Sequence, residues 1–339
     1  MIKLEKEAFR PKLRACIDGY LKISDRHTLT VGLYRRGEVY LFGDHNPDAP
    51  LIYDIGSVSK TVTAHLILYL RDRGLLELDR SISEYIDLPW GEYPTVYRLL
   101  THTSGYKNPM PLEITLPSFI RHGYARRNVY QGCNAERLIS CLGRRRRRRK
   151  ASYGYSDFAY AILALVAERV SGRPYAELME EFIRERLGMS STVISPTGGR
   201  DYPPAVANNK IIDYWVWERD NPYVAGGGLV SNIEDMMHYL ALQINSNESY
   251  ITDAHIRCAE SVSRHSNTVS CIGWHTYKKS NRLWHVGGAG SFRTSVVFDK
   301  KRKIAVCVMG NAMGVGSANV HYLAKMLYGE MKANKISFS

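Results

Sequence analysis

Runs rich in β-branched and aromatic residues lie at the two ends of this sequence, and helix-period runs lie between them. Thr28–Tyr34 and Glu38–Gly43, joined by Arg35-Arg36-Gly37, read as a hairpin. Four more strands are expected far along the chain, at Ser270–Tyr277, Arg282–Val286, Thr294–Phe298 and Ile304–Met309, with Asp299–Lys303 turning the last pair. Buried strands must pair their backbone N–H and C=O groups, so the two ends are expected to meet. The fold class that follows is α+β: an antiparallel sheet from both chain ends, flanked by helices, with a helical insert. Residues 1–56 and 225–339 form the sheet part, and residues 57–224 form the mostly helical part.

The helical runs have readable ends. Residues 4–23 carry Phe9, Leu13, Cys16, Ile17 and Tyr20 at helix spacing, with Pro11 as a start or a break. A long apolar helix begins near Ser57, runs to about Arg73 and stops at Gly74. Val96–Gly105 is a short helix closing on glycine. The stretch from Tyr106 to about Cys141, with prolines at 109, 111 and 117, is expected to be irregular and to form a mobile lid or wall. Helices are expected at Ser156–Val170, Pro174–Leu187, Ile233–Ile244 and Ser317–Lys332. Residues 192–224 read as loop-rich, and Ala225–Asn232 as a tight glycine segment.

The chain has 339 residues and no apolar run long enough to cross a membrane. Its first ten residues are charged and lack the apolar stretch of a secretory signal, so with Met1 as the natural start the expected location is cytoplasmic. The six cysteines make no C-x-x-C pair and are expected to be free thiols, with a disulfide-bonded secreted protein as the alternative. The net charge is +13, and the run Arg144–Lys150 supplies seven of those charges. That run reads first as a solvated loop, second as a wall that attracts an anionic substrate, and a distant third as a nucleic-acid patch, since no aromatics are interleaved with it.

Ser57-Val-Ser-Lys60 is the chemically pointed stretch. Three residues along a helix, the two side chains share one face about a turn apart. A serine hydroxyl is a poor nucleophile until a neighbour takes its proton or stabilises its alkoxide, and a helix N-terminus adds unpaired N–H groups where an oxyanion would form. Alone, the tetrapeptide equally describes an N-cap and a solvated lysine.

Five further segments accompany it in order: Leu99-Leu-Thr-His-Thr-Ser-Gly105, Tyr153-Gly-Tyr-Ser-Asp-Phe-Ala-Tyr160, Arg186-Leu-Gly-Met-Ser190, Ala225-Gly-Gly-Gly-Leu-Val-Ser231, and His285-Val-Gly-Gly288 before a hairpin ending at Gly310-Asn311. Together they resemble the serine β-lactamase and penicillin-binding-protein superfamily, nearest its class C-like branch, which also holds esterases, D-aminopeptidases and DD-carboxypeptidases. The resemblance spans roughly residues 28–311. It implies Ser57 as nucleophile, Lys60 as its partner and Tyr155 as the base that takes the serine proton, at the junction of the two parts. An unperturbed tyrosine, with a pKa of about 10, is too weak an acid for this at neutral pH, and a nearby cation corrects that.

Asp157 departs from the family's usual asparagine, and a carboxylate there favours a charged Lys60. His285 occupies the position of the family's K-T-G or H-x-G element, where it helps hold substrate or tunes the Lys60–Tyr155 pair. The resemblance places the oxyanion hole at the backbone N–H groups of Ser57 and Gly288. Val286 lacks the hydroxyl with which β-lactamases hold their substrate's carboxylate, which shifts the expectation toward an esterase or peptidase. His102 is expected to belong to a structural turn, not a triad, and His65 to packing. Neither metal nor cofactor is expected, and Gly226–Gly228 read as close packing instead of a phosphate cradle.

The expected function is a serine hydrolase that cleaves a small ester or amide, an anionic one among the candidates, through an acyl-enzyme on Ser57. A true β-lactamase or DD-carboxypeptidase, an acyltransferase and a catalytically silent binding module stay open as alternatives. No nucleic acid or membrane partner is expected.

Overall fold

A computed structural model of the chain describes residues 1–46, 50–106, 116, 127–144, 153–195, 202–207, 210–258, 267–312 and 319–338. The strands in chain order are β1 (Ile2–Lys3), β2 (Leu29–Arg35), β3 (Glu38–Gly43), β4 (Tyr53–Asp54), β5 (Val193–Ile194), β6 (Val206–Ala207), β7 (Lys210–Ile211), β8 (Leu229–Ser231), β9 (Thr268–Ser270), β10 (His275–Tyr277), β11 (Leu283–Ala289), β12 (Phe292–Asp299) and β13 (Ile304–Gly310). Eight of them form one sheet in the order β1-β3-β2-β13-β12-β11-β10-β9. The two chain ends meet where β2 pairs antiparallel with β13, Val31 opposite Val308. β1 alone adds to this sheet in parallel, Ile2 opposite Tyr40. β1 leaves no signal in the sequence, because two residues carry no period.

Both sheet faces are covered, and the alternation along β13 shows how. Ile304, Val306 and Val308 pack with Leu13, Ile17 and Tyr20 of the helix Pro11–Leu21 and with Leu323 and Leu327 of the helix Val320–Lys332. Ala305, Cys307 and Met309 face the larger core on the other side. There the helix Ile233–Asn245 lies so close that a Cβ at Gly32 would overlap the Met237 side chain, so glycine lets helix and strand touch. The helix Ser59–Asp72 runs through the larger core with eleven of its residues buried. The helices Asp157–Ser171 and Tyr175–Glu185 pack beside it.

Several boundaries move. Pro11 starts a helix, and the preceding residues form only the 3-10 turn Lys6–Ala8, since proline is tolerated in a first helical turn and not within the helix. The expected strand Ser270–Tyr277 is two strands, β9 and β10, paired antiparallel with Ser270 opposite His275. Gly273, at φ +75°, turns the chain between them. The supposedly irregular stretch before Cys141 contains the helix Ala135–Arg144, which buries Leu138, Cys141 and Leu142 at helical spacing. Residues 107–115, 117–126 and 145–150 lie outside the described residues, and with them most of the expected lid and of the arginine run. All six cysteines are free and buried. Among the described residues, no helix is long and apolar enough to cross a membrane.

Candidate active site

Ser57 sits in the single 3-10 turn Gly56–Val58, between β4 and the helix Ser59–Asp72. The turn is pressed against β11. Gly56 has φ +49°, and a Cβ there would stand 2.5 Å from the Gly288 nitrogen. A Cβ at Gly287 would overlap the Ile55 carbonyl and lie 3.2 Å from the Ser57 nitrogen. Glycine at these positions allows the two backbones to meet, which brings the amide of Ser57 beside Gly287-Gly288.

Lys60 is fully buried. Its Nζ donates to Ser57 Oγ at 2.9 Å and to the Gly226 carbonyl at 2.5 Å, and it lies 2.5 Å from Asp157 Oδ1. An ammonium has three N–H donors, and three acceptors meet it here. A buried charge is tolerated only when paired and hydrogen-bonded, so the surroundings select the charged, donating form of the lysine. Asp157 opens the helix Asp157–Ser171, where a carboxylate also complements the helix dipole. Its second oxygen accepts from the Tyr130 hydroxyl at 3.0 Å. The Lys60 Nζ lies 5.1 Å from the centre of the Tyr155 ring and 5.7 Å from that of Tyr160.

Ser57 separates two recesses. The larger, about 540 Å³, is lined by Tyr153, Tyr155, His275, Trp284, His285 and Arg293, among others. The smaller, about 60 Å³, is walled by Tyr130, Asp157, Trp215, Trp217 and Tyr223. In this wall Tyr130 stacks on Tyr223 at 4.3 Å and on Trp217 at 5.8 Å.

Three buried histidines back the larger recess. His275 stacks between His102, at 6.0 Å, and His285, at 5.0 Å. His102 also lies 4.6 Å from the Tyr155 ring. Burial holds all three below the ordinary imidazole value, His275 at about 4, and the nearby Lys60 charge pushes the same way. They are therefore neutral at neutral pH. His102 Nδ1 accepts the Ser156 N–H at 3.2 Å, which places its proton on Nε2. The His102 carbonyl accepts the Gly154 N–H at 2.8 Å. The turn at His102, in left-handed backbone at φ +57°, thus grips the Tyr155 segment on both sides. His285 Nδ1 donates to the Val286 carbonyl at 2.9 Å, leaving Nε2 as a buried acceptor with no partner among the described residues.

The structure therefore gathers Ser57, Lys60, Tyr155, Asp157, His285 and the Gly288 backbone at one place. His65 stays apart, with its ring nitrogens 2.8 Å from the Tyr250 carbonyl and 3.1 Å from Gln243 Oε1. Sequence reasoning missed Tyr130, His275 and the Gly226 carbonyl. Tyr130 lies in a stretch without period, and the position of His275 in a strand carries no chemical signal. Gly226 acts through its backbone, which only its glycine neighbours hint at. Among the described residues, no group of three His, Cys, Asp or Glu side chains is arranged to hold a metal ion.

Comparison with known proteins places this geometry. Protein flp of Staphylococcus aureus (strain MW2) is 20% identical over 293 residues, covering 81% of this chain and 54% of that protein. The chain spans about half the length of the curated relatives it matches. A class C beta-lactamase from Rhodobacter sphaeroides superposes with a TM-score of 0.74 at 17% identity, over 95% of this chain and all of that one. A beta-lactamase/D-alanine carboxypeptidase from Yersinia pestis superposes with a TM-score of 0.73 at 18% identity, over 97% of each chain. At such identities these structures establish a shared fold. The family model for beta-lactamase matches residues 13–329, nearly the whole sheet and every residue of the site, and the chain belongs to that family.

Proposed function

We propose that the chain is a serine hydrolase that cleaves a small ester or amide through an acyl-enzyme on Ser57. The observation that carries this reading is the fully buried Lys60 held 2.9 Å from Ser57 Oγ at the edge of an open recess. A packing lysine has no reason to spend one of its three donors on a serine that faces a cavity.

In the proposed reaction Ser57 Oγ attacks the substrate carbonyl as its proton passes to Tyr155. Lys60 stays charged and stabilises the developing negative charge on the serine and tyrosine oxygens. The tetrahedral oxyanion is received by the backbone N–H groups of Ser57 and Gly288. Collapse breaks the ester C–O or amide C–N bond, and Tyr155 returns the proton to the leaving alcohol or amine. Water then repeats the sequence on the acyl-enzyme and releases the acid. Asp157 keeps Lys60 charged, and His285 borders the substrate. Trp284 and Tyr153 give the larger recess apolar walls and Arg293 gives it a positive charge, which favours a partly apolar group with a polar or anionic end. Val286 offers no hydroxyl for a β-lactam carboxylate, which supports an ester or peptide-like amide.

The test is intact mass after incubation with a fluorophosphonate, beside Ser57→Ala, followed by a panel of aryl esters, D-amino-acid amides and a cephalosporin. A single adduct absent from Ser57→Ala is expected, with turnover of an ester or amide. No adduct in folded protein overturns the proposal, and turnover of the cephalosporin alone moves it to β-lactamase.

A further inference from the structure

The geometry points to a second binding site, for phosphate-bearing polyanions, in a basic cleft at the turn end of the main sheet. Because β2 pairs with β13, the turn after Arg35 and the turn before Ile304 lie side by side. The Arg36 N–H donates to the Lys303 carbonyl at 3.1 Å and ties the two turns together. The end of the helix Val320–Lys332 closes the third side. Together they enclose a cavity of about 380 Å³ lined by Arg35, Arg36, Lys301, Arg302, Lys303 and Lys332.

Two of these cations are occupied. Arg302 pairs with Asp299 at 2.9 Å, and Arg35 donates to Asn334 Oδ1 at 2.9 Å. Among the described residues, no carboxylate pairs with Arg36, Lys301, Lys303 or Lys332. The negative end of the helix dipole accounts for Lys332, but not for three further unpaired cations from two different turns. Like charges gathered in one concave site repel one another and focus a positive potential that an anion relieves. The size is that of a small-ligand pocket. Among the described residues no aromatic side chain lines it, and charge recognition without base stacking suits phosphate groups themselves. This site does not depend on the hydrolase reading.

The probe is inorganic tripolyphosphate, titrated calorimetrically at two salt concentrations, alongside co-sedimentation with phosphatidylglycerol and phosphatidylcholine vesicles. The variant is R36N/K301Q/K303N. Arg36 and Lys303 have φ of +51° and +52°, and asparagine accepts that backbone. The expected result is salt-sensitive binding that weakens about tenfold or more in the variant, with melting temperature and fluorophosphonate labelling unchanged. Loss of tripolyphosphate binding in the variant assigns a soluble ligand, and loss of phosphatidylglycerol binding alone assigns a lipid headgroup. A second variant, R145N/R146N/R147N, removes equal charge from the arginine run and is expected to bind like the parent. The proposal is overturned if neither probe binds, if R36N/K301Q/K303N binds like the parent, or if the 145–147 variant loses binding instead. Tighter binding per phosphate of a single-stranded RNA oligonucleotide overturns it in favour of nucleic acid.

Discussion

Replacing Gly287 by alanine isolates the contact between β11 and the serine turn. Gly287 has no left-handed φ, so the added methyl acts only through space. It would overlap the Ile55 carbonyl oxygen, with the carbonyl carbon 2.8 Å away and the Ser57 nitrogen at 3.2 Å. Carbon–carbon contacts are comfortable at about 3.5–4.0 Å, and the overlap with the carbonyl oxygen is tighter still, so strand and turn must separate by at least about 1 Å. Both neighbours are backbone, and Gly287 is locked to Thr294 in the sheet, so no flexible side chain can absorb the shift. Overpacking of this kind costs about 1–3 kcal/mol of stability. A displacement of about 1 Å at reacting groups costs roughly 10²-fold in rate, or about 2.7 kcal/mol of transition-state stabilisation. The assay is the second-order rate of fluorophosphonate labelling of Ser57, with the melting temperature measured on the same samples. Gly154→Ala is the control, because no described residue lies within 4 Å of its added methyl. Gly287→Ala is expected to label about a hundredfold more slowly while remaining folded, and Gly154→Ala to stay near the parent. Labelling of folded Gly287→Ala within about threefold of the parent refutes the reasoning, because the oxyanion site would then not depend on this close approach.

Three other perturbations test separate parts of the account. Asp157→Asn keeps an acceptor for Lys60 but removes the charge beside a buried ammonium, so it is expected to retain labelling and turnover while losing about 3 kcal/mol of stability; complete loss of activity in the folded variant contradicts the supporting role given to Asp157. Burial keeps His102, His275 and His285 neutral in the fold, so below pH ~6.5 the unfolded chain binds protons that the native state refuses, and stability falls with pH by up to about 1.4 kcal/mol per unit for each histidine. Buried Asp54, pushed up to about 8, offsets one such proton by holding its own in the native state, and chemical denaturation at pH 7 and pH 5 measures the balance; equal stability at both is the contrary result. Gly19, within the helix Pro11–Leu21 and with nothing within 4 Å of an added Cβ, is expected to gain about 0.5–1 kcal/mol on conversion to alanine, read as a higher denaturant midpoint.

What could be read from the chain, and what could not, divides by the range of the signal. The pairing of the two chain ends was legible because β2 and β13 are long, β-branched and alternate between two cores, with Val306 and Val308 on one face and Cys307 and Met309 on the other. The Ser57–Lys60 relation was legible because three residues along a turn that runs into a helix fix the spacing of two side chains, although the α-helix itself starts at Ser59 and Ser57 lies in the 3-10 turn before it. The third acceptor around Lys60 was not, because the Gly226 carbonyl lies 166 positions away and a backbone group has no residue type to betray it. The helix Ala135–Arg144 was missed for another reason. Its apolar stripe, Leu138, Cys141 and Leu142, has the right period, but upstream prolines and a downstream arginine run masked it.

Hydrogen-bond partners explain why a charged Lys60 and a neutral histidine stack can coexist around one tyrosine. Lys60 is fully enclosed, and its charge is sustained by Asp157 across a short contact and by two oxygen acceptors. The histidines, equally enclosed, have no carboxylate hydrogen-bond partner among the described residues and so shed their protons. Burial alone would neutralise both kinds of group, and the partners decide between them. Tyr155 lies at the boundary, facing a fixed cation on one side and neutral rings on the other. In the proposed reaction a proton leaving Ser57 would therefore meet one strongly polarised route, toward the oxygen whose negative charge Lys60 can stabilise. The neutral imidazoles, depressed by their burial, are poor competitors for it. Asp157, the residue at which this chain departs from the family's asparagine, strengthens that asymmetry, because its contact with Lys60 favours the positive charge on the lysine.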